Sequence, residues 1–99
     1  MPALSEYTNV YNTAILILQE KGFRCWADDK MQMFRCERDG WDFAAESPVG
    51  LLGLVAIFEH TAPSGYREYW WRKDGPSVYG VLPQEAPEFE PVYMRRRSE

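Results

Sequence analysis

The chain has 99 residues, a formal net charge of −4, 45% hydrophobic residues and two cysteines, so it is sized and composed as one globular domain with its own core. Without the terminal Arg95-Arg96-Arg97-Ser98-Glu99 the body holds 8 basic against 14 acidic residues, a balance that repels a phosphate backbone and favours a basic or positively patched protein partner. Met1 to Glu6 has neither a basic lead nor an apolar run, and the longest apolar run falls short of a bilayer span, which predicts a soluble, cytoplasmic protein.

From Ser5 to Lys21, apolar Tyr7, Val10, Tyr11, Ala14, Ile15 and Leu18 recur at three- and four-residue spacing and predict a helix. Ser5 or Thr8 is the expected cap, and Gly22 the left-handed residue that ends it. A three-strand meander is predicted next, over Phe23–Asp28, Met31–Arg38 and Trp41–Glu46. Asp39-Gly40 is a two-residue hairpin turn that sets Cys36 opposite Phe43 and Phe34 opposite Ala45. The first hairpin admits two registers. One opposes Arg24 to Arg35; the preferred one opposes Arg24 to Glu37, Trp26 to Arg35 and Cys25 to Cys36, which makes the charged contacts attractive.

Ser47-Pro48 followed by Val49 to Phe58 is the core element, because that run carries no polar side chain and must be covered on most sides. A buried strand competes with a helix here; the Ser47 cap, Pro48 at the first helical position and the length of the run favour the helix. After a loop at Ala62-Pro63-Ser64-Gly65, Tyr66 to Lys73 reads as a fourth strand beside the first, and Val78 to Leu82 offers a short fifth. The expected fold is α+β, order α-β-β-β-α-β, with both helices on one sheet face. Residues 1–82 would form the domain, 83–99 an extended Pro/Glu-rich arm with a disordered basic tail.

Chemistry-bearing groups are sparse. His60 is the only histidine and suits a helix C-terminus, the two thiols point inward, and no zinc-ligand set, Gly-rich phosphate loop or nucleophile elbow is present, so no cofactor or metal is expected. Gly50-Leu51-Leu52-Gly53 satisfies the GxxG spacing of a KH loop but lies in an apolar run without a basic residue. The helix-strand-strand-strand-helix order has the outline of a double-stranded-RNA-binding domain. Its second helix would start at Ser47-Pro48-Val49-Gly50, which offers none of the lysines that grip phosphates there.

The informative set is Trp26, Arg35, Arg67, Tyr69, Trp71 and Lys73, some of which share the sheet face turned from the helices if the fourth strand joins as expected. Aromatics interleaved with arginine dominate interface hot spots. The same residues would form a second core layer if the Pro83–Met94 arm covered them. The first expectation is a non-enzymatic protein-binding module, a regulator, inhibitor or adaptor, or a homodimer through that face. The alternatives are nucleic-acid binding through the same face and the Arg95-Arg96-Arg97 tail, and a small enzyme using Cys25 or Cys36 with His60.

Overall fold

A computed structural model describes residues 2–94 of the chain. It divides into two compact units, one spanning Glu6–Lys73, the other comprising residues 2–5 and 74–94. Arg95-Arg96-Arg97, the tail invoked for nucleic-acid binding and the segment expected to be disordered, lies outside the described residues.

In the first unit, α1 (Thr8–Glu20) leads to strands β1 (Arg24–Asp28), β2 (Met33–Arg38) and β3 (Trp41–Ala45), then α2 (Pro48–Thr61). The strands form an antiparallel meander, β1-β2-β3. Both hairpins adopt the expected registers: Arg24 faces Glu37, Cys25 faces Cys36 and Trp26 faces Arg35, while Cys36 faces Phe43 and Arg38 faces Trp41. The tight turn works because Asp39 and Gly40 both take positive φ, 52° and 86°, as the right-handed twist of the flanking strands demands. The first hairpin needs a longer loop. Asp28 accepts the Met31 N–H at 3.1 Å and Gln32 turns left-handed at φ 56°, so Met31 and Gln32 belong to the turn rather than to β2.

The helices cover one face of the sheet. Leu18, Phe23, Cys36, Phe43, Leu51, Val55 and Phe58 make the core. Gly22, at φ 91°, follows α1 as expected, but its start is a correction: Tyr7 occupies the cap position without a side-chain bond, and Ser5 and Thr8 do not cap it. α2 is the helix that Ser47 and Pro48 specify. Ser47 Oγ accepts the Gly50 N–H at 2.9 Å, a cap worth about 1 kcal/mol, and donates to the Glu6 carboxylate. Its far end closes at Ala62, left-handed at φ 45°, whose N–H reaches the Phe58 carbonyl.

The fourth strand does not form. Residues 68–71 make a tight turn, with the Trp70 N–H on the Arg67 carbonyl and the Arg72 N–H on the Tyr69 carbonyl, and Tyr69 sits at φ 60°. That turn swings Trp70 inward, where its ring centroid lies 5.2 Å from Trp41, 6.0 Å from Phe58 and 6.1 Å from Phe43. An aromatic pocket beside β3 therefore outweighs the extended preference of the run, and the segment lies by β3 rather than by β1. In the second unit the expected fifth strand is also absent. Val78 takes a helical backbone conformation and opens a 3-10 turn, Tyr79–Val81; a second, Val92–Met94, follows, and residues 82–91 carry neither helix nor strand.

Candidate functional site

Loss of the fourth strand separates the six residues singled out from sequence. Trp26 and Arg35 lie on the sheet face away from the helices; Arg67, Tyr69, Trp71 and Lys73 belong to the turn after α2. On the sheet face Arg35 is the hub. Its guanidinium stacks 5.3 Å from the Trp26 ring and pairs with Asp28 at 3.3 Å and Asp42 at 2.7 Å. Beside it Arg24 pairs with Glu37 at 2.6 Å. The Met31 N–H, and then Arg35, hold the Asp28 carboxyl below its ordinary range; the Gly40 N–H, and then Arg24, do the same for Glu37. Arg35 and Arg24 are thus each engaged by a carboxylate of the same face.

The second group is built on α2. A run apolar around its whole circumference needs neighbours on every side; the stripe Pro48, Leu51, Val55 and Phe58 is buried, and Leu52 and Leu54 pack partly buried against the core. The run is covered on most sides, as expected, but not on all: Gly53, Ala56 and Ile57 are exposed along one face, Ile57 at 44%. Leu54 and Ile57 join Phe43, Trp70 and Trp71 in lining an open apolar cleft of about 280 Å³. Trp71 is 51% exposed and packs edge-on to Tyr69, with Arg72 over both rings. Arg67 is exposed, and Lys73 donates to His60 Nε2 at 3.2 Å.

Along the same flank runs β3, whose only strand partner among the described residues is β2. In a two-residue hairpin the residues flanking the turn exchange both main-chain bonds, so Trp41, Phe43 and Ala45 bond to β2 while the N–H and C=O groups of Asp42 and Ala44 point outward. A cleft of about 360 Å³, bordered by Asp39 to Phe43 on one side and by Gly65, Tyr66 and Trp70 on the other, leaves space beside that edge.

Leu54, Ile57 and Trp70 are the residues that the sequence reading missed. For Leu54 and Ile57 the signal was present in the uninterrupted apolar run, which is too rich for a helix with two neighbours; Trp70 lies outside that run, in the segment read as a strand. Elsewhere the thiols are held protonated: burial, then Cys25 and Asp42, raise Cys36 to about 11, and burial raises Cys25. Among the described residues no three His, Cys, Asp or Glu side chains are grouped to hold a metal ion, and no helix is long and apolar enough to cross a membrane. No protein-family profile, curated protein or solved structure matches the chain.

Proposed function

We propose that this protein is a protein-binding module whose contact surface is the unburied apolar side of α2 together with the Tyr69–Trp71 turn. One observation carries the reading: the apolar run of α2 is left uncovered along one face, where exposed Ile57 and Trp71 and half-buried Leu54 surround an open cleft. Contiguous apolar surface of this kind costs solubility and is retained where a partner covers it. Trp71 and Tyr69, flanked by Arg72, are the residue types that anchor such contacts, and the charged groups nearby form a polar rim.

The test is a pull-down in which the bait is the full chain or its Trp71→Ala variant, with the melting temperature of each recorded. Partners held by the wild-type chain and lost on Trp71→Ala, with the fold intact, are the expected result. Retention of the same proteins by the variant overturns the reading, and a large fall in melting temperature assigns Trp71 to the core.

A further inference from the structure

We propose that Cys25 and Cys36 are a redox site, closing a reversible disulfide across the first hairpin by exchange with a small-molecule disulfide such as glutathione disulfide. The site is independent of the docking surface above and rests on where the two hairpins place the sulfurs.

The phase of the sheet sets that placement. Arg38 and Trp41 flank the two-residue turn and exchange both main-chain bonds, so along β2 it is Arg38, Cys36 and Phe34 that bond to β3. The main-chain groups of Glu37, Arg35 and Met33 point the other way and bond to Arg24, Trp26 and Asp28 of β1. Cys25 and Cys36, directly opposed between those pairs, therefore share no main-chain bond. Opposed residues of that kind hold their Cα atoms about 4.5 Å apart, with the side chains at their closest. Disulfides bridge Cα separations of about 4.4–6.8 Å, so the folded hairpin already has the spacing the bond needs. Both side chains lie on the helix-bearing face, where Cys25 packs against the core that contains Cys36.

The two thiols differ in access. Cys36 is fully buried, whereas Cys25 is partly buried and lines an open cleft of about 140 Å³ where Ile15 of α1, Ala27 of β1 and Leu51 of α2 meet. An incoming disulfide therefore reaches Cys25 first. The Cys25 thiolate attacks one sulfur of glutathione disulfide; that S–S bond breaks, and one glutathione leaves and takes up a proton. Cys36, once deprotonated, attacks the Cys25 sulfur and expels the second glutathione. The protein dithiol has then lost two electrons and two protons, and glutathione disulfide has become two thiols. Burial raises both thiols, which makes the exchange slow and its product lasting, because basic thiolates are poor leaving groups when the finished bond is attacked.

The test incubates the full folded chain overnight with excess glutathione disulfide at mildly alkaline pH, then alkylates the remaining thiols. Trypsin cuts after Arg24, Lys30, Arg35 and Arg38, which puts the cysteines on separate peptides, Cys25–Lys30 and Cys36–Arg38. Mass spectrometry should find these two peptides joined by a bond that dithiothreitol cleaves, in a chain that runs as a single copy on a non-reducing denaturing gel. The oxidised chain should melt about 10 °C above the reduced one, because the bond restricts the unfolded chain. Cys36→Ala should stop at a glutathione adduct on Cys25, while Cys25→Ala, whose remaining thiol is buried, should stay reduced. Two unreacted thiols, two separate glutathione adducts or a linkage between two chains overturns the proposal. So does a lowered melting temperature, which would mean that the hairpin must distort to make the bond. A Cys25→Ala chain modified as fast as Cys36→Ala overturns the route through Cys25. The wild-type result decides the matter even if neither variant folds.

Discussion

Trp70 and Trp71 are neighbours with opposite expected roles, and replacing each by alanine separates them. Trp70 is half-buried and meets three rings, Trp41, Phe58 and Phe43, at centroid distances of 5.2, 6.0 and 6.1 Å. Truncating a fully buried tryptophan costs about 3–5 kcal/mol, and each aromatic pair contributes about 0.5–1.5 kcal/mol beyond its buried area. With part of the Trp70 ring still in solvent, Trp70→Ala should cost about 3 kcal/mol. For a domain of this size that lowers Tm by roughly 15 °C. Trp71 packs edge-on to Tyr69 with Arg72 over its ring and is 51% exposed, so Trp71→Ala should cost under about 1 kcal/mol. Urea titrations followed by far-UV circular dichroism give both values without relying on the indoles being removed. Equal losses, or a Trp70→Ala chain as stable as wild type, would refute the docking of the 68–71 turn.

Two glycines in α2 provide a matched pair. A Cβ at Gly53 would meet nothing within 4 Å, so Gly53→Ala should stabilise by about 0.5–1 kcal/mol through helix propensity, whereas at Gly50 it would lie 3.1 Å from Ala45 Cβ and 3.3 Å from Ser47 Oγ, and Gly50→Ala should destabilise by about 1 kcal/mol. Urea unfolding decides it, and like signs would contradict the packing of α2 on β3. Melting temperature against pH should fall at both ends. Asp28 and Glu37 titrate below their ordinary values of 3.8 and 4.5, so the native state binds fewer protons than the unfolded chain; the stability they lend is complete above that range and is lost as pH drops through it. Cys36 is raised from 9.0 to about 11, so its contribution is complete below 9.0 and disappears as pH rises toward 11; Glu37→Gln and Cys36→Ala should flatten the acid and alkaline limbs respectively, and unaltered limbs would refute the assignments.

The meander was legible in the sequence because local chemistry decides it. Asp39-Gly40 dictates one hairpin; in the other, Arg24 opposite Glu37 and Trp26 opposite Arg35 outweigh the rival register, and the pairs close at 2.6 and 5.3 Å. Ser47 and Pro48 likewise announce α2 through atoms within one turn of it. The Tyr66–Lys73 segment was not legible. Its aromatic and β-favouring residues suit a strand, but what places it is a pocket formed by Trp41, Phe43 and Phe58, residues distant in sequence, and the left-handed backbone at Tyr69 that lets Trp70 enter. For the candidate site, residue type singled out Trp71 and Tyr69, whose exposure the sequence left open and which are exposed, while their grouping with Trp26 and Arg35 depended on the strand that did not form.

α1 is tied at its end to other parts of the chain. It has no side-chain cap at its start and no basic residue in its last turn; the Lys21, Phe23 and Gly22 N–H groups close on the Ile17, Leu18 and Gln19 carbonyls, and Arg38 of β2 adds a bond from Nη1 to the carbonyl of the cap residue Lys21 at 2.8 Å while its guanidinium lies 4.6 Å above the Phe23 ring. Lys21 in turn reaches Glu59 on α2 at 2.9 Å. At thirteen residues, α1 is about the length at which a free helix is marginal in water. It is therefore a helix that depends on company: a peptide cut from it should be mostly coil, and fraying at Lys21 within the chain gives up its contacts with Arg38 of the hairpin and Glu59 of the second helix. Glu6–Lys73 is accordingly expected to melt as one cooperative unit.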